Sequence, residues 1–475
     1  MVKLRNRILV LPLLIAALLV SGRSPQAAPQ TQIGQARLLA EVQYRAFRFF
    51  WEKSNSTTGL TYDRAPNTGT EPKEPVASIA ATGYALSSLP IAVEHGWVSK
   101  HAAYDRALLT LRYVHDRFAN EHGWYYHFID PRTGARVWNC ELSSIDTALL
   151  LLGALEAGRY WRGTEVDRLA NAVYDRIDWT WMRTNGGAKP DKMTLAMGWK
   201  PESGFLDNNW DHYCELMYLY LLGMGAKTDP LPRESWAAWK RTVIEYGGRK
   251  TLEGGPIFMH QMAQEYYDFK DRRDTLGWDY WVSSQQAMQI NRQFCLDHAA
   301  ARKSYGPNLW GLNASDGPDG YSAFGAPGPE NGTLSPTGAL AAIQFTPDIA
   351  KAAGQEMYTR FSDRLWGRYG FSDSFNLDRD WFDPDVLGID LGMALLAIED
   401  VHSGLPQHLL ASHPATARAF AKAGLHTTRE RTPRPLQQPP ATTRRSFSPL
   451  SLQHIGFTKR EAHGKKRNGS NVSPL

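Results

Sequence analysis

Residues 143–160, SSIDTALLLLGALEAGRY, decide how this 475-residue chain is read. The run is apolar almost all round, and residues 148–152 are unbroken alanine and leucine. A helix with no polar face must be buried on every side, so other helices have to surround it. Segments 76–95, 211–224 and 387–401 have the same character, whereas 99–119, 164–182 and 232–246 carry one charged face. Further helical spacing runs over 36–53, 283–301, 337–345, 347–366 and 414–423, about twelve segments in all. Strand alternation is confined to short pieces such as 124–129 and 257–262. Buried helices alternating with amphipathic ones predict an all-α fold, an (α/α)6 toroid. The competing solenoid would need a fixed sequence repeat, and none is found.

Long connections at 54–75, 120–142, 184–210, 247–282, 302–336 and 367–386 are rich in Gly, Pro, Asn, Asp and aromatics. Loops of this length in a compact domain usually carry function. If the helices alternate in direction, those preceding the buried helices gather on one face and form a cleft.

Composition narrows the class. The formal charge of +5 conceals an acidic middle. Residues 1–28 carry Lys3, Arg5, Arg7 and Arg23 with no acid, and residues 425–475 carry ten bases against two acids. That leaves residues 29–424 at −7. A basic start, an apolar stretch over 8–20 and small residues at 21, 22, 27 and 28 predict a signal peptide over 1–28, hence a periplasmic or secreted protein. The stretch is too short for a membrane span, and no span is expected after its removal. Residues 29–424 are expected to form a single catalytic domain. The Pro/Arg/Ser-rich residues 425–475 are expected to be a disordered basic tail. Sixteen tryptophans exceed ordinary core needs and suit apolar platforms for a ligand. Cys140, Cys214 and Cys295 form neither a disulfide framework nor a zinc pattern and read as buried thiols.

Acids and aromatics cluster where the loops meet the buried helices: 59–64 (GLTYDR), 138–147 (WNCELSSIDT), 207–215 (DNNWDHYCE), 310–321 (WGLNASDGPDGY) and 388–392 (GIDLG). Some of these acids have bland readings. Ser143 with Asp146 has the form of a capping pair, and Asn208 with Asp211 admits the same reading. Asp316 and Asp319 suit turns, and Asp390 suits an N-cap. Glu141 and Glu215 sit among aromatics beside apolar helices, where an acid needs a partner or a purpose. A helix over 211–224 would place Asp211 and Glu215 on one face and raise one pKa. Two carboxyl groups of unlike pKa are what glycoside hydrolysis requires. The histidines form no HExxH set, and no nucleophile elbow, phosphate loop or dinucleotide fingerprint occurs. No metal, cofactor or nucleic-acid partner is expected.

The motifs GLTYDR (59–64), ELSSIDTALLLLGAL (141–155), NWDHYCELMYLYLL (209–222), NRQFCLDH (291–298), YGPNLWGLNASDGPDGYSAFGAP (305–327), NGTLSPTGALAA (331–342), LWGRYGFSDSFNL (365–377) and GIDLG (388–392) span about 34–404. As a set they resemble the bacterial glucoamylase-like domain, in particular glycoside hydrolase family 144. The resemblance implies inverting hydrolysis of β-1,2-glucan on an (α/α)6 barrel. It implies that Glu141, Glu215 and Asp390 are the catalytic acids, without dividing the acid and base roles among them. It also implies that Asp63, Arg64, Asp146, Trp210, Asp211, Asn291, Arg292, Trp310, Asp319 and Tyr321 contact sugar. Where the family often has GIDQGP, this chain has Leu391 in place of the polar residue. The expected protein is a monomeric hydrolase of an oligo- or polysaccharide. The rivals are an exo-acting sophorose-releasing enzyme, a transglycosylase, a polysaccharide lyase and a non-catalytic glycan binder. An acidic core argues against an anionic uronate substrate.

Overall fold

Serines set the starts of three buried helices: Ser78, Ser143 and Ser335 each accept a hydrogen bond from a main-chain amide three residues on. Such caps satisfy donors that the first turn leaves without partners. The structure is a computed structural model and describes residues 33–69 and 75–428. The expected signal peptide at 1–28 lies outside the described residues, as does the expected tail beyond residue 428. Residues 425–428 are described: Leu425 is buried, and His426–Thr427 pairs with Arg272–Arg273.

The described chain is mostly helical. Its first half carries α1 (Gln35–Glu52), α2 (Ile79–Glu94), α3 (Lys100–Asp116), α4 (Ser144–Tyr160), α5 (Glu165–Asp175), α6 (Trp179–Thr184) and α7 (Met217–Gly225). The second half carries α8 (Glu234–Ala237), α9 (Phe258–Tyr266), α10 (Tyr280–Asp297), α11 (Pro336–Ala341), α12 (Pro347–Leu365), α13 (Gly388–His402), α14 (Leu405–Ala411) and α15 (Pro414–Ala423). Two kinds of helix are present. α5 buries one stripe, Val166, Leu169, Ala170, Val173 and Tyr174, at helical spacing. α7 is buried at all nine positions, and α2 from Ile79 to Ala92. α2 packs on α4 and α13, α4 on α7, α7 on α9, and α11 on α13. The α2–α4 crossing is close because Gly83 and Gly153 face each other, leaving no room for a Cβ.

The loops before the buried helices are joined edge to edge. Ala77–Ser78, before α2, pairs with Phe128–Ile129 in the loop before α4. Leu142 and Ser143 pair with Trp199 and Gly198 before α7. His212 bridges Lys240, and Ile257, before α9, donates to the Leu312 carbonyl before α11. Thr333–Leu334 pairs with Phe375–Asn376 before α13, and Asp385–Leu387 returns to Arg64–Pro66 before α2. Each loop is thus tied to the next, and the last to the first.

Three expected elements are corrected. Residues 232–246 do not form one helix; α8 ends at Ala237, and Val243–Tyr246 pairs with Arg249–Leu252 as a hairpin. Gly247 and Gly248, with φ of 55° and 73°, supply the two-residue turn that such a hairpin favours. Residues 258–262 are helical rather than extended, in α9; its burial all round from His260 to Tyr266 leaves no polar face in the sequence to mark a helix. The expected helix over 211–224 starts only at Met217. Tyr213 donates its amide to Lys240 and Lys240 donates to Asp211, both at 2.8 Å, which holds 211–213 extended. Asp211 and Glu215 therefore share no helix face.

Candidate active site

Glu141 ends the loop before α4, and that loop folds back so that the His127 amide donates to the Glu141 carbonyl. The turn brings the His127 ring between two carboxylates. Nδ1 lies 3.0 Å from Glu141 Oε1, and Nε2 lies 3.4 Å from Asp146 Oδ2. Asp146 also accepts from the Ser143 hydroxyl at 2.5 Å while its amide is capped by the same side chain, so the capping reading holds in part. Burial works to lower the His127 pKa, but the charges of Asp146, Glu141 and Asp63 outweigh it and carry it to about 9. The ring is a cation at neutral pH, with both nitrogens donating. Burial works to raise the Glu141 pKa, yet the hydrogen bond and charge of His127 bring it below its ordinary value. Glu141 is held ionised.

Glu215 has the opposite environment. It is 8% exposed, and its Oε2 has no hydrogen-bond partner among the described residues. Burial, with the charge of Asp146, pushes its pKa up to about 7 against its own main-chain amide and the Cys214 thiol. Two carboxyl groups on adjacent loops thus differ in protonation through surroundings alone.

A second acid group centres on Arg64. Its Nη1 donates to Asp316 at 2.6 Å and its Nε to Asp63 at 3.1 Å. Asp316 donates its amide to Asp373 at 2.8 Å. Asp373, Asp383 and Asp390 are all nearly fully buried, and each has one oxygen unpaired among the described residues. Asn313 Nδ2 lies 3.4 Å from the other Asp390 oxygen. Burial raises all three, with the charge of Asp316 adding to each, and carries Asp383 and Asp390 to about 7. A hydrogen bond with Asp373 works to lower Asp390, and the charges of Asp390 and Asp383 raise Asp373, so these carboxyls titrate as a set. Asp390 lies in the first turn of α13, where the helix dipole favours an anion; the N-cap is Leu387, which corrects the N-cap reading. The charge of Asp63 acts on both His127 and Asp390, which puts it between the two groups. Tyr321 is half exposed, and burial of its hydroxyl with the charges of Asp390, Asp373, Asp63 and Asp316 pushes its pKa up. It reaches over the acids from the 302–335 loop.

The fold therefore brings together Glu141, Asp146, Glu215, Asp63, Arg64, Asp390 and Tyr321. The remaining candidates sit elsewhere or do other work. Trp210 is buried and donates its indole N–H to Ser144 at 2.8 Å. Trp310 is wholly buried and offers no face to a sugar. Asn291 is buried and holds the Gly311 and Leu312 backbone through three hydrogen bonds. Arg292 donates to the Pro307 carbonyl and lines a cavity of about 350 Å³ with Arg249, Gln293 and residues 345–349, away from every acid above. Asp211 turns to His212, and Asp319 pairs with Arg379 at the surface.

Sequence reasoning passed over His127, Asp373 and Asp383 and read Asp316 as a turn residue. Their signal was faint: Asp373 lies in a quoted motif, but nothing local links it to Asp316, 57 residues away. Trp138, quoted in the 138–147 cluster but not named as a sugar contact, is 69% exposed at a φ of 55° and leans on Phe128, which stacks on His127. Oxygens of Asp316, Asp373 and Asp383 lie within 4.8 Å of one another, close enough to share a hard cation. Arg64 already supplies positive charge there. The three cysteines are free and buried, so Cys140 and Cys214 do not pair.

Known proteins share the sequence pattern and the fold. The Glycoamylase family model, described as "Putative glucoamylase", matches residues 207–414. The exo beta-1,2-glucooligosaccharide sophorohydrolase (non-reducing end) of Parabacteroides distasonis is 26% identical over 433 residues, 81% of this chain. This chain spans 57% of the length of that relative. A solved Bacteroides uniformis structure, also described as a glucoamylase, superposes with a TM-score of 0.78 at 27% identity, over 84% of this chain and 99% of its own. The endo-beta-1,2-glucanase of Chitinophaga pinensis, solved with sophorotriose and glucose, shares the fold with a TM-score of 0.76 at 24% identity, over 83% and 99%. Residues 207–414 thus match the Glycoamylase family model, and the chain is similar in sequence and fold to glucoamylase-like proteins and β-1,2-glucan-acting relatives.

Proposed function

We propose that this chain is a metal-independent glycoside hydrolase that cleaves β-1,2-glucan with inversion. The observation that carries the reading is Glu215: a buried carboxyl with an unpaired oxygen and a pKa near 7, on the loop next to the one where His127 holds Glu141 ionised. Glu215 donates its proton to the leaving glycosidic oxygen. The ionised member of the Asp390–Asp373 set takes a proton from the attacking water, directly or through a sugar hydroxyl. Water oxygen bonds to the anomeric carbon as the bond to the leaving oxygen breaks. Asp63, Arg64 and the Tyr321 hydroxyl hold sugar hydroxyls, while His127 keeps Glu141 charged and orients Glu141 and Asp146. The names of the relatives supply the linkage.

The reading extends to architecture. A closed (α/α)6 toroid is supported by the contacts among α2, α4, α7, α9, α11 and α13 and by the tied loops at their N-terminal ends. In this reading residues 29–424 form the catalytic unit, a monomer exported by the segment 1–28.

Incubation of the purified protein with linear β-1,2-glucan, β-1,3-glucan, starch and a uronate polymer, followed by separation of products, tests the activity. New reducing ends from β-1,2-glucan alone are expected. No product from any neutral glucan would overturn the reading, and unsaturated products from the uronate would install a lyase. The exo-acting character of the Parabacteroides relative favours a second reading, release of sophorose only. A ladder of oligosaccharides at early times excludes it.

A further inference from the structure

The geometry points to a zinc site formed by His95, Glu399 and His402, at the ends of α2 and α13 opposite the cleft. Ser78 and Leu387 cap the N-termini of α2 and α13 beside the cleft, whereas His95 caps the C-terminus of α2 and His402 is the last residue of α13. At 1.5 Å per residue, Asp390 and His402 lie about 18 Å apart along α13.

Ligand atoms of the three side chains lie within 4.8 Å of one another. His95 Nε2 is 2.8 Å from Glu399 Oε2. Glu399 and His402 are three residues apart on one helix face, the Glu-x-x-His spacing by which helices present a carboxylate and an imidazole to one metal. The His95 and His402 rings stand 5.4 Å apart at 85°, and His95 is fixed by stacking on Trp97. Partners outside the three ligands orient the carboxylate: Gln43 donates to Oε2 at 2.9 Å and Ser403 to Oε1 at 2.5 Å.

A structural clasp between α2 and α13 would need only His95 and Glu399. It gives no reason for a second imidazole beside them, and no hydrogen bond engages the His402 ring among the described residues. His402 is partly exposed, which gives an ion a way in. Two imidazoles and one carboxylate suit Zn²⁺, with water as a fourth ligand, better than Ca²⁺ or Mg²⁺. Tetrahedral bonds of about 2.0–2.1 Å place ligand atoms about 3.3 Å apart, so small side-chain rotations close the site. Bound zinc would pin the C-terminal ends of α2 and α13.

Equilibrium dialysis of the full chain against Zn²⁺, with bound metal read by mass spectrometry, tests the site. One Zn²⁺ per wild-type chain, absent from His402→Ala and restored in His402→Cys, is the expected result. The His402 ring makes no hydrogen bond among the described residues, so the alanine variant should keep the wild-type circular dichroism. Zinc absent from the wild type, or held equally by wild type and His402→Ala, would overturn the proposal.

Discussion

Two residues carry the sharpest tests. Glu215 acts only while protonated, so kcat/KM should fall as pH rises through about 7, its pKa in the fold. Glu215→Gln should lower kcat by roughly 10²–10⁴-fold with the fold intact. Its remaining activity should lose the alkaline limb; a pH–rate profile that keeps that limb would assign the acid elsewhere. Trp138 is exposed in a left-handed backbone conformation and stacks toward His127 through Phe128. A large exposed aromatic at a cleft rim suits a pyranose face, so Trp138→Ala should raise KM roughly threefold to tenfold and leave kcat near wild type. A selective fall in kcat would instead put Trp138 in the chemistry. Glu141 and Glu215 were legible as candidates because an acid among aromatics beside an apolar helix demands explanation. His127 was not, since its meaning lies in the two carboxylates it joins.

Among the elements, the α2–α4 contact depends on two glycines. A Cβ at Gly153 would collide with the Gly83 carbonyl, and one at Gly83 with the Leu149 backbone. Backbone cannot yield as a side-chain end can, so Gly153→Ala should cost about 1–3 kcal/mol or more, despite alanine's better helix propensity. Urea denaturation measures this, and a variant as stable as wild type would show that the two helices can separate. Most helices were legible from periodicity: 347–366 was expected and α12 runs Pro347–Leu365, while 414–423 matches α15. Two of the three misreadings were set by contacts or turns that apolar spacing does not show. At 211–216 and 232–246 the chain follows partners distant in sequence or a glycine turn, and both override local apolar spacing.

For the molecule as a whole, the interior of the helix bundle holds acids that sequence reasoning did not single out. Glu156 on α4 is wholly buried with both oxygens unpaired among the described residues, and burial raises its pKa to about 8. Its charge also acts on Glu265 of α9 and Asp400 of α13, both raised by burial first. Below about pH 4.5 Glu156 is neutral whether folded or unfolded. Between about 4.5 and 8 the unfolded chain gives up a proton that the folded chain keeps, so stability falls as pH rises through that window. The melting temperature should therefore drop between pH 5 and pH 8, and Glu156→Gln should flatten the drop. Parallel wild-type and variant curves would remove Glu156 as its source.

The sequence by itself determined the helical class, the burial pattern, the acidic middle and the motifs that place acids where loops meet buried helices. These are local quantities: side-chain polarity and spacing within a turn or two of helix. Only the tertiary structure decided which acids meet. Protonation depends on burial and on charges a few ångströms away, and those neighbours come from loops before α2, α4, α7, α11 and α13. Glu141 and Glu215 are alike as letters in the sequence, but His127 ionises one while a buried, unpaired position protonates the other.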